Sequence, residues 1–305
     1  MRSDDSFVRI KSRGKKQSSE DFYYAEAERF DDAVDGDFEE FDPEKPPVGD
    51  RWTTWDQSEP LQRAPKPWPS WLITDLGAVD LEHGILKTGK EADVFLIERF
   101  VPDTDRTVLL AAKRYRDADH RMFSRSSEYT EGRTVRKSRD QRAMEKGTKV
   151  GQEMLAGQWA ATEWNALVRM HRAGASVPYP VQIVGTEVIM EFVGTDKQAA
   201  PRLENIRPER AELDDLWEQL VHNMTIMARD GFAHGDLSSY NIIVHEGRLV
   251  IIDMPQIIDV VANPRGRFFL ERDVRNVGAW FVSRGLDPKY VDMLVADQFA
   301  DARLT

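Results

Sequence analysis

The chain has 305 residues, 41% of them hydrophobic, a formal net charge of −11 and no cysteine. That length allows one large domain or two modest ones with a real core, and the missing cysteines exclude disulfides, thiolate metal sites and a cysteine nucleophile, in keeping with a cytoplasmic protein. The acidic total argues against general nucleic-acid binding, no apolar run approaches the ~18 residues a membrane span needs, and the polar start lacks the apolar centre of a secretory signal.

Residues 1–50 carry 15 Asp/Glu against 8 Lys/Arg and predict a disordered acidic tail. Residues 51–70 hold four of the fifteen prolines and three of the eight tryptophans (Trp52, Trp55, Trp68), which predicts an extended segment laid over the domain surface. From about residue 71 the pattern becomes globular. Residues 81–99, LEHGILKTGKEADVFLIER, read as strand, tight turn and strand, with Gly84 and Gly89 as punctuation. Residues 107–116 read as a third strand. Residues 114–149, with 11 Lys/Arg against 6 Asp/Glu, predict a partly mobile basic segment, either a solvated loop or a contact for RNA. Residues 151–174 have helical periodicity, with Leu155, Trp159, Leu167 and Met170 near one face and Gly174 as the stop. A hairpin over 181–194, a helix over 212–231, a hairpin over 241–254 turning at Glu246-Gly247, and helices over 271–283 and 288–302 complete the reading. A strand-rich half (71–193) thus precedes a helix-rich half (194–305). The architecture is α+β in two lobes, and the cleft between lobes is the expected ligand site.

Several stretches carry chemistry. Phosphoryl transfer needs a cradle for phosphates, a cation on them, metal ligands and a carboxylate to orient the nucleophile. KTGKEA (87–92) is a candidate cradle: Gly89 can take positive φ and leave backbone N–H groups facing phosphate oxygens. A plain hairpin turn explains the same residues. Lys113 lies in the apolar strand LLAAKRY, where it is costly to bury unless paired. Its natural partner is Glu163, with Glu153 a competitor; the alternative is an edge lysine whose stem lies on apolar surface. HGDLSSYNIIV (234–244) sets Asp236 and Asn241 five apart, a spacing that supplies a carboxylate for an attacking hydroxyl and an amide oxygen for Mg²⁺. Asp253, after four apolar residues, is either a buried metal ligand or a turn cap. The six items are specific because they come in this order. His83, His171, His222 and His245 share no ligand spacing, so no zinc site is expected. His234 is expected to support the backbone of its own loop, and Trp159, Trp164, Trp217 and Trp280 to lie in the core.

Taken together, TGKEA (88–92), Lys113, MEFVG (190–194), HGDLSSYNIIV, IIDMPQ (251–256) and FFLERDVRNVGAWF (268–281) resemble the RIO family of atypical serine/threonine protein kinases, over roughly residues 75–285. TGKEA and the Ser-Tyr-Asn run are similar to the first RIO subfamily. DMPQ is closer to the second, but residues 1–70 are too polar and Pro-rich for the winged-helix domain of that group. The resemblance implies a two-lobed, protein-kinase-like α+β fold over 71–305, with a strand-rich N-lobe (71–193) and a short helical C-lobe (194–305) lacking the usual peptide-binding helices. It implies ATP and Mg²⁺ between the lobes. Met190, Glu191 and Val193 would hold adenine, the last two through backbone groups. Lys87, Thr88, Gly89 and Lys90 would cover the phosphates, with Val94, Tyr240 and Ile252 completing the nucleotide site. Lys113 would contact the phosphates and pair with Glu163. Asp236 would be the catalytic carboxylate, and Asn241 and Asp253 the Mg²⁺ ligands. In the family's ATPase cycle the residue matching Asp253 accepts a phosphoryl group.

Three features depart from ordinary protein kinases. G-x-G-x-x-G is absent, Gly235 replaces the arginine of H-R-D, and no A-P-E element occurs in the 52 residues after Asp253. The acceptor is therefore open: a protein hydroxyl, or the chain itself, with the serines of 124–138 as candidates. Two other readings compete. One is a small-molecule phosphotransferase similar to aminoglycoside kinases. The other is an ATP-switched assembly factor touching ribosomal RNA or the small ribosomal subunit through 114–149.

Overall fold

Alternating apolar residues broken by short turns build the first half of the molecule. The computed structural model describes residues 45–116, 149–255 and 257–304. The expected acidic tail up to residue 44, the basic segment from 117 to 148 and Gln256 lie outside the described residues. Strands β1 (Arg51–Trp52), β2 (Val79–Thr88), β3 (Ala92–Phe100), β4 (Thr107–Tyr115), β5 (Pro180–Val184) and β6 (Glu187–Glu191) form one antiparallel sheet in the order β1-β2-β3-β4-β6-β5. The predicted hairpin tip falls at Gly89–Glu91. Gly84 is no turn residue: it sits inside β2 with φ +104°, where the pairing slips between Glu82 and Gly84, and such a bulge bends the strand.

Helix α1 (Lys149–Ala173) packs on β4, β5 and β6. It ends as predicted at Gly174, φ +89°, with the Ala175 N–H bonded to the Met170 carbonyl at 3.0 Å. After β6 the chain runs through a small hairpin, β7 (Gly194–Thr195) and β8 (Gln198–Ala199), into the second lobe. That lobe holds α2 (Arg210–Arg229), β9 (Phe232–Ala233), the hairpin β10 (Ile242–His245) and β11 (Arg248–Ile251), β12 (Ile258–Asp259), α3 (Gly266–Val282) and α4 (Pro288–Asp301). Positive φ at Glu246 and Gly247, 50° and 75°, matches a two-residue hairpin turn. Helix α3 starts five residues earlier than expected. Glycine at 266 is required by packing: a Cβ would lie 2.0 Å from the Val260 carbonyl oxygen.

A continuous apolar core joins the lobes, running from Trp164 and Met170 of α1 through Leu216 and Leu220 of α2 to Val277 and Phe281 of α3. All four helix tryptophans are buried in it. A second cluster lies behind the sheet, and residues 51–70 enter it instead of merely covering it. Trp55 is only 4% exposed and packs with Ile97, Leu110, Val181 and Ile189. Prolines make this segment extended, but a tryptophan ring carries too much apolar area to leave in water. The Ala64 N–H reaches the Val181 carbonyl at 2.8 Å, and the Tyr179 hydroxyl donates to the Pro65 carbonyl at 2.6 Å. Replacing Tyr179 with Phe is expected to destabilise the fold by about 1 kcal/mol, measured by urea unfolding.

The result is the expected α+β arrangement of a strand-rich lobe and a helical lobe. Among the described residues no helix is long and apolar enough to cross a membrane.

Candidate active site

Side-chain alternation along β4 turns Ala111 and Lys113 toward the space between the lobes, where a cleft of about 620 Å³ opens. The Lys113 ammonium donates to Glu163 of α1 at 2.7 Å and to Asp253 at 2.5 Å. Lys113 is 8% exposed and Glu163 1%, so this is a buried pair and not a lysine reaching for water. The side chain of Glu153, the competing partner, lies outside the described residues. The second oxygen of Glu163 accepts the Tyr115 hydroxyl at 2.5 Å, which satisfies both oxygens of the carboxylate. Burial works against the charge on Lys113, but the Glu163 and Asp253 carboxylates overcome it and push its pKa well above the ordinary value. Burial raises the Tyr115 hydroxyl well above its usual range, and the Glu163 charge adds to this.

Asp253 follows the end of β11 by two residues and adopts φ +67°, a left-handed conformation that asparagine and aspartate tolerate best among non-glycine residues. Burial opposes its ionisation, but the adjacent Lys113 charge wins and holds the carboxyl at about 2. The ordinary value is 3.8, so ionised Asp253 stabilises the fold fully above about pH 4, and that contribution disappears as pH falls toward 2. Its side chain is 34% exposed, so screening reduces the effect to about 1 kcal/mol. The stability gap between the parent and Asp253→Asn is expected to shrink by that amount between pH 6 and pH 2 in denaturant unfolding.

The loop 234–241 is held from several sides. His234 is buried; its Nδ1 accepts the Asp236 N–H at 3.3 Å and its Nε2 lies 3.0 Å from the Ile252 carbonyl, which fixes Nε2 as donor. This is the backbone support expected of it. The Ile252 N–H in turn donates to the Asn241 carbonyl at 3.0 Å, so the two ends of the β10–β11 hairpin bring Asn241 and Asp253 to the same place. The Asn241 amide nitrogen donates to the Asp236 carbonyl at 2.9 Å. That bond commits the nitrogen to the backbone and leaves the amide oxygen as a ligand atom. Asp273 of α3, buried beneath the loop, accepts the N–H groups of Gly235 at 2.8 Å and Leu237 at 3.1 Å. Burial raises the Asp273 carboxyl, against the pull of His234 and these two N–H groups.

Asp236, Asn241 and Asp253 all line the cleft, as do Lys113 and Glu163. So do Lys87, Gly89, Lys90 and Val94 from the roof, and Met190, Glu191, Val193 and Ile252 from the back and floor. Thr88 and Tyr240 are not among the lining residues, and the Tyr240 side chain is 54% exposed. Two expectations for the glycine loop are corrected. Gly89 is absent from the positive-φ residues, and its N–H is used by the Ala92 carbonyl at 2.9 Å. Glycine is required at 89 for space, since a Cβ would stand 2.8 Å from that same oxygen. At the connector, the Glu191 N–H is bonded to the Tyr179 carbonyl at 2.8 Å and the Val193 carbonyl to the Ala200 N–H at 3.0 Å.

Ala111, Ile243 and Arg202 also line the cleft and were not anticipated, and Glu91 of the KTGKEA cradle lines it too. Ala111 and Ile243 were within reach of a period-2 argument, being two residues from Lys113 and Asn241. Asp273 carried a signal too, as a charge between the buried apolar residues of α3. Arg202, whose guanidinium donates to the Tyr240 carbonyl at 2.9 Å, carried none. A set of amide and carboxylate oxygens, with no thiolate in the chain, fits a hard cation such as Mg²⁺.

Comparison with known proteins bears on this arrangement. The family model "RIO domain" matches residues 108–293. The RIO-type serine/threonine-protein kinase Rio1 of Haloferax volcanii is 35% identical over 216 residues, covering 71% of this chain and 68% of that protein. Serine/threonine-protein kinase RIO1 of Caenorhabditis elegans is 31% identical over 204 residues, covering 67% of this chain but only 37% of the worm protein. For Bos taurus RIO3 the match is 32% over 148 residues, 48% of this chain and 28% of that one. The chain therefore spans about two thirds of the archaeal relative and a minor part of the animal ones. Among solved structures, a Rio2 kinase–ADP/Mg²⁺–phosphoaspartate complex from Chaetomium thermophilum aligns with a TM-score of 0.48 and 16% identity, over 73% of this chain and 66% of that one. A family match across more than half of the chain, together with the Haloferax likeness over most of both proteins, means that this chain belongs to the RIO domain family.

Proposed function

We propose that the protein is an ATP- and Mg²⁺-dependent phosphotransferase of RIO type, acting as a serine/threonine kinase on a protein hydroxyl or on itself, as an ATPase, or as both. The observation that carries the proposal is the double bond-pair of Lys113, to Glu163 and to Asp253, in the same cleft as the Asp236–Asn241 loop. Glu163 fixes the Lys113 ammonium where the phosphates of ATP would lie, and Lys87 and Lys90 add positive charge from the roof. The Glu191 carbonyl and the Val193 N–H read the adenine edge, since the other two backbone groups of these residues are engaged. Met190, Val94 and Ile252, with Ala111 and Ile243, enclose the base. Asn241, through its amide oxygen, and Asp253 would hold Mg²⁺, which when bound would neutralise charge on the transferred phosphoryl group. In the kinase reaction Asp236 accepts the proton of the acceptor hydroxyl as the new O–P bond forms and the bond to the leaving ADP oxygen breaks. In the ATPase cycle an Asp253 carboxylate oxygen takes the phosphoryl group instead, and water later cleaves the acyl phosphate.

We also propose that the catalytic domain begins at the segment that joins the sheet from about residue 50, not at residue 71. Contact with RNA or a ribosomal subunit through 114–149 concerns residues mostly outside those described, and stays a separate hypothesis, as does a cytoplasmic location.

A single-turnover incubation with Mg²⁺ and γ-labelled ATP tests the function. Acid-stable, hydroxylamine-resistant label on the chain is the result expected of a hydroxyl kinase. Hydroxylamine-labile label lost in Asp253→Ala would identify the aspartyl-phosphate cycle. Turnover only in the presence of added sugars or small alcohols would replace both with a small-molecule phosphotransferase.

A further inference from the structure

We propose that residues 53–65 form a strap that holds α1 in its active position, with Trp164 as the positioning residue that acts through Glu163. This rests on the phosphoryl-transfer reading, in which Lys113 needs Glu163. The two residues are neighbours on α1 but are engaged on different sides. Glu163 turns to Lys113 and Tyr115 in the cleft. Trp164 is buried, and its indole N–H donates to the Leu61 carbonyl at 3.1 Å, within the short 3-10 turn Pro60–Gln62 of the strap.

The strap is itself fixed to the sheet. The Thr53 N–H bonds the Ala78 carbonyl at 2.9 Å, the Ser58 hydroxyl donates to Ile183 at 3.3 Å, and Gln182 donates to the Thr54 hydroxyl at 2.7 Å. Beyond the turn, the Ala64–Val181 and Tyr179–Pro65 bonds close it. The helix is therefore gripped from two directions, by the ion pair on the cleft side and by the indole bond on the strap side. Both partners of Glu163, Lys113 and Tyr115, lie on β4, so these bonds hold the helix from the sheet side alone. The strap supplies the second anchor. Leu61 is 88% exposed and lies in a short turn at the surface, outside the core that holds the helix. Removing that donor should loosen the helix without unfolding the protein.

The test uses the full chain with Trp164→Phe, Glu163→Gln and the double variant, read as single-turnover kcat and ATP Kd. Trp164→Phe, which keeps an aromatic side chain but a smaller one and removes the N–H, is expected to lower kcat by about three- to tenfold, the effect of one lost hydrogen bond on a two-position equilibrium, while the cavity it leaves in the core lowers Tm. In the Glu163→Gln background the same change should have no further effect on kcat, because its route through Glu163 is already cut. Unchanged kcat in Trp164→Phe, or reductions that multiply in the double variant, would overturn the proposal. If the Glu163→Gln background is too slow to read, hydrogen exchange of the amides of 160–167 decides: faster exchange in Trp164→Phe supports the strap and unchanged exchange sinks it. Asp236→Asn, run alongside, separates the two ideas. If it leaves turnover intact, the hydroxyl-kinase reading has failed and only the Asp253 route remains, which Asp253→Asn then tests; if Asp236→Asn abolishes turnover while Trp164→Phe does nothing, only the strap has failed.

Discussion

Asp236→Asn is expected to lower the rate of phosphoryl transfer by about 10²- to 10⁴-fold, the range for loss of a positioned acid or base. The change is nearly isosteric, and the backbone of Asp236 is what the surrounding structure holds. Its N–H is bonded to His234 and its carbonyl to Asn241, and neither contact involves the carboxylate. The loop should therefore keep its shape, and ATP affinity should change little because Lys113, Glu163 and the connector are untouched. Rapid-quench measurement of γ-phosphate transfer, with ATP binding followed by calorimetry, checks both halves. A rate within tenfold of the parent would remove Asp236 from the chemistry and turn attention to phosphoryl transfer onto Asp253.

Lys113→Met should reduce both stability and activity. The buried Glu163 carboxylate would lose the cation that compensates it, and breaking a buried pair from one side typically costs about 3–5 kcal/mol. Tyr115 would remain as its one hydrogen-bond partner among the described residues. Adding Glu163→Gln to Lys113→Met removes the stranded charge, so much of the lost stability should return. Activity should not, because the cation on the phosphates is still missing. Urea unfolding and single-turnover transfer, measured on both variants, separate the two roles. Recovery of activity in the double variant would show that Lys113 serves the fold alone.

The ease of reading differs from place to place along this chain, for identifiable physical reasons. Strands β3 and β4 and helices α1 and α2 were legible because each obeys one period and ends at a glycine or a turn, whereas β2 slips register twice. The helix α3 start was not, since Gly266 is selected by a backbone 2.0 Å from its missing Cβ, a contact made by Val260 in another element. Likewise Gly89 looked like a residue chosen for positive φ, whereas its role in the hairpin is to give room to the Ala92 carbonyl. Thr88 is the last residue of β2 and is exposed, while its neighbours Lys87 and Gly89 line the cleft. Alternation along a strand decides this, and at a hairpin tip with a register slip the count is easily lost by one.

By itself the sequence determined which residue types were available and in what order: a glycine loop, a lysine within an apolar strand, a glutamate on the next helix, and the Asp, Asn and Asp that follow. These are local facts, and the spacing between Asp236 and Asn241 can be read without a fold. Only the tertiary structure decided that Lys113 meets Glu163 fifty residues away and Asp253 one hundred and forty away at the same time. It also decided that Asp273 lies under the loop, that Arg202 faces the cleft, and that the Pro-rich segment grips α1 through Leu61. Such contacts depend on how the apolar faces of separate elements close on one another. Burial then sets their electrostatics: the charge on Lys113 persists inside the protein because two carboxylates, distant in sequence, share its desolvated site.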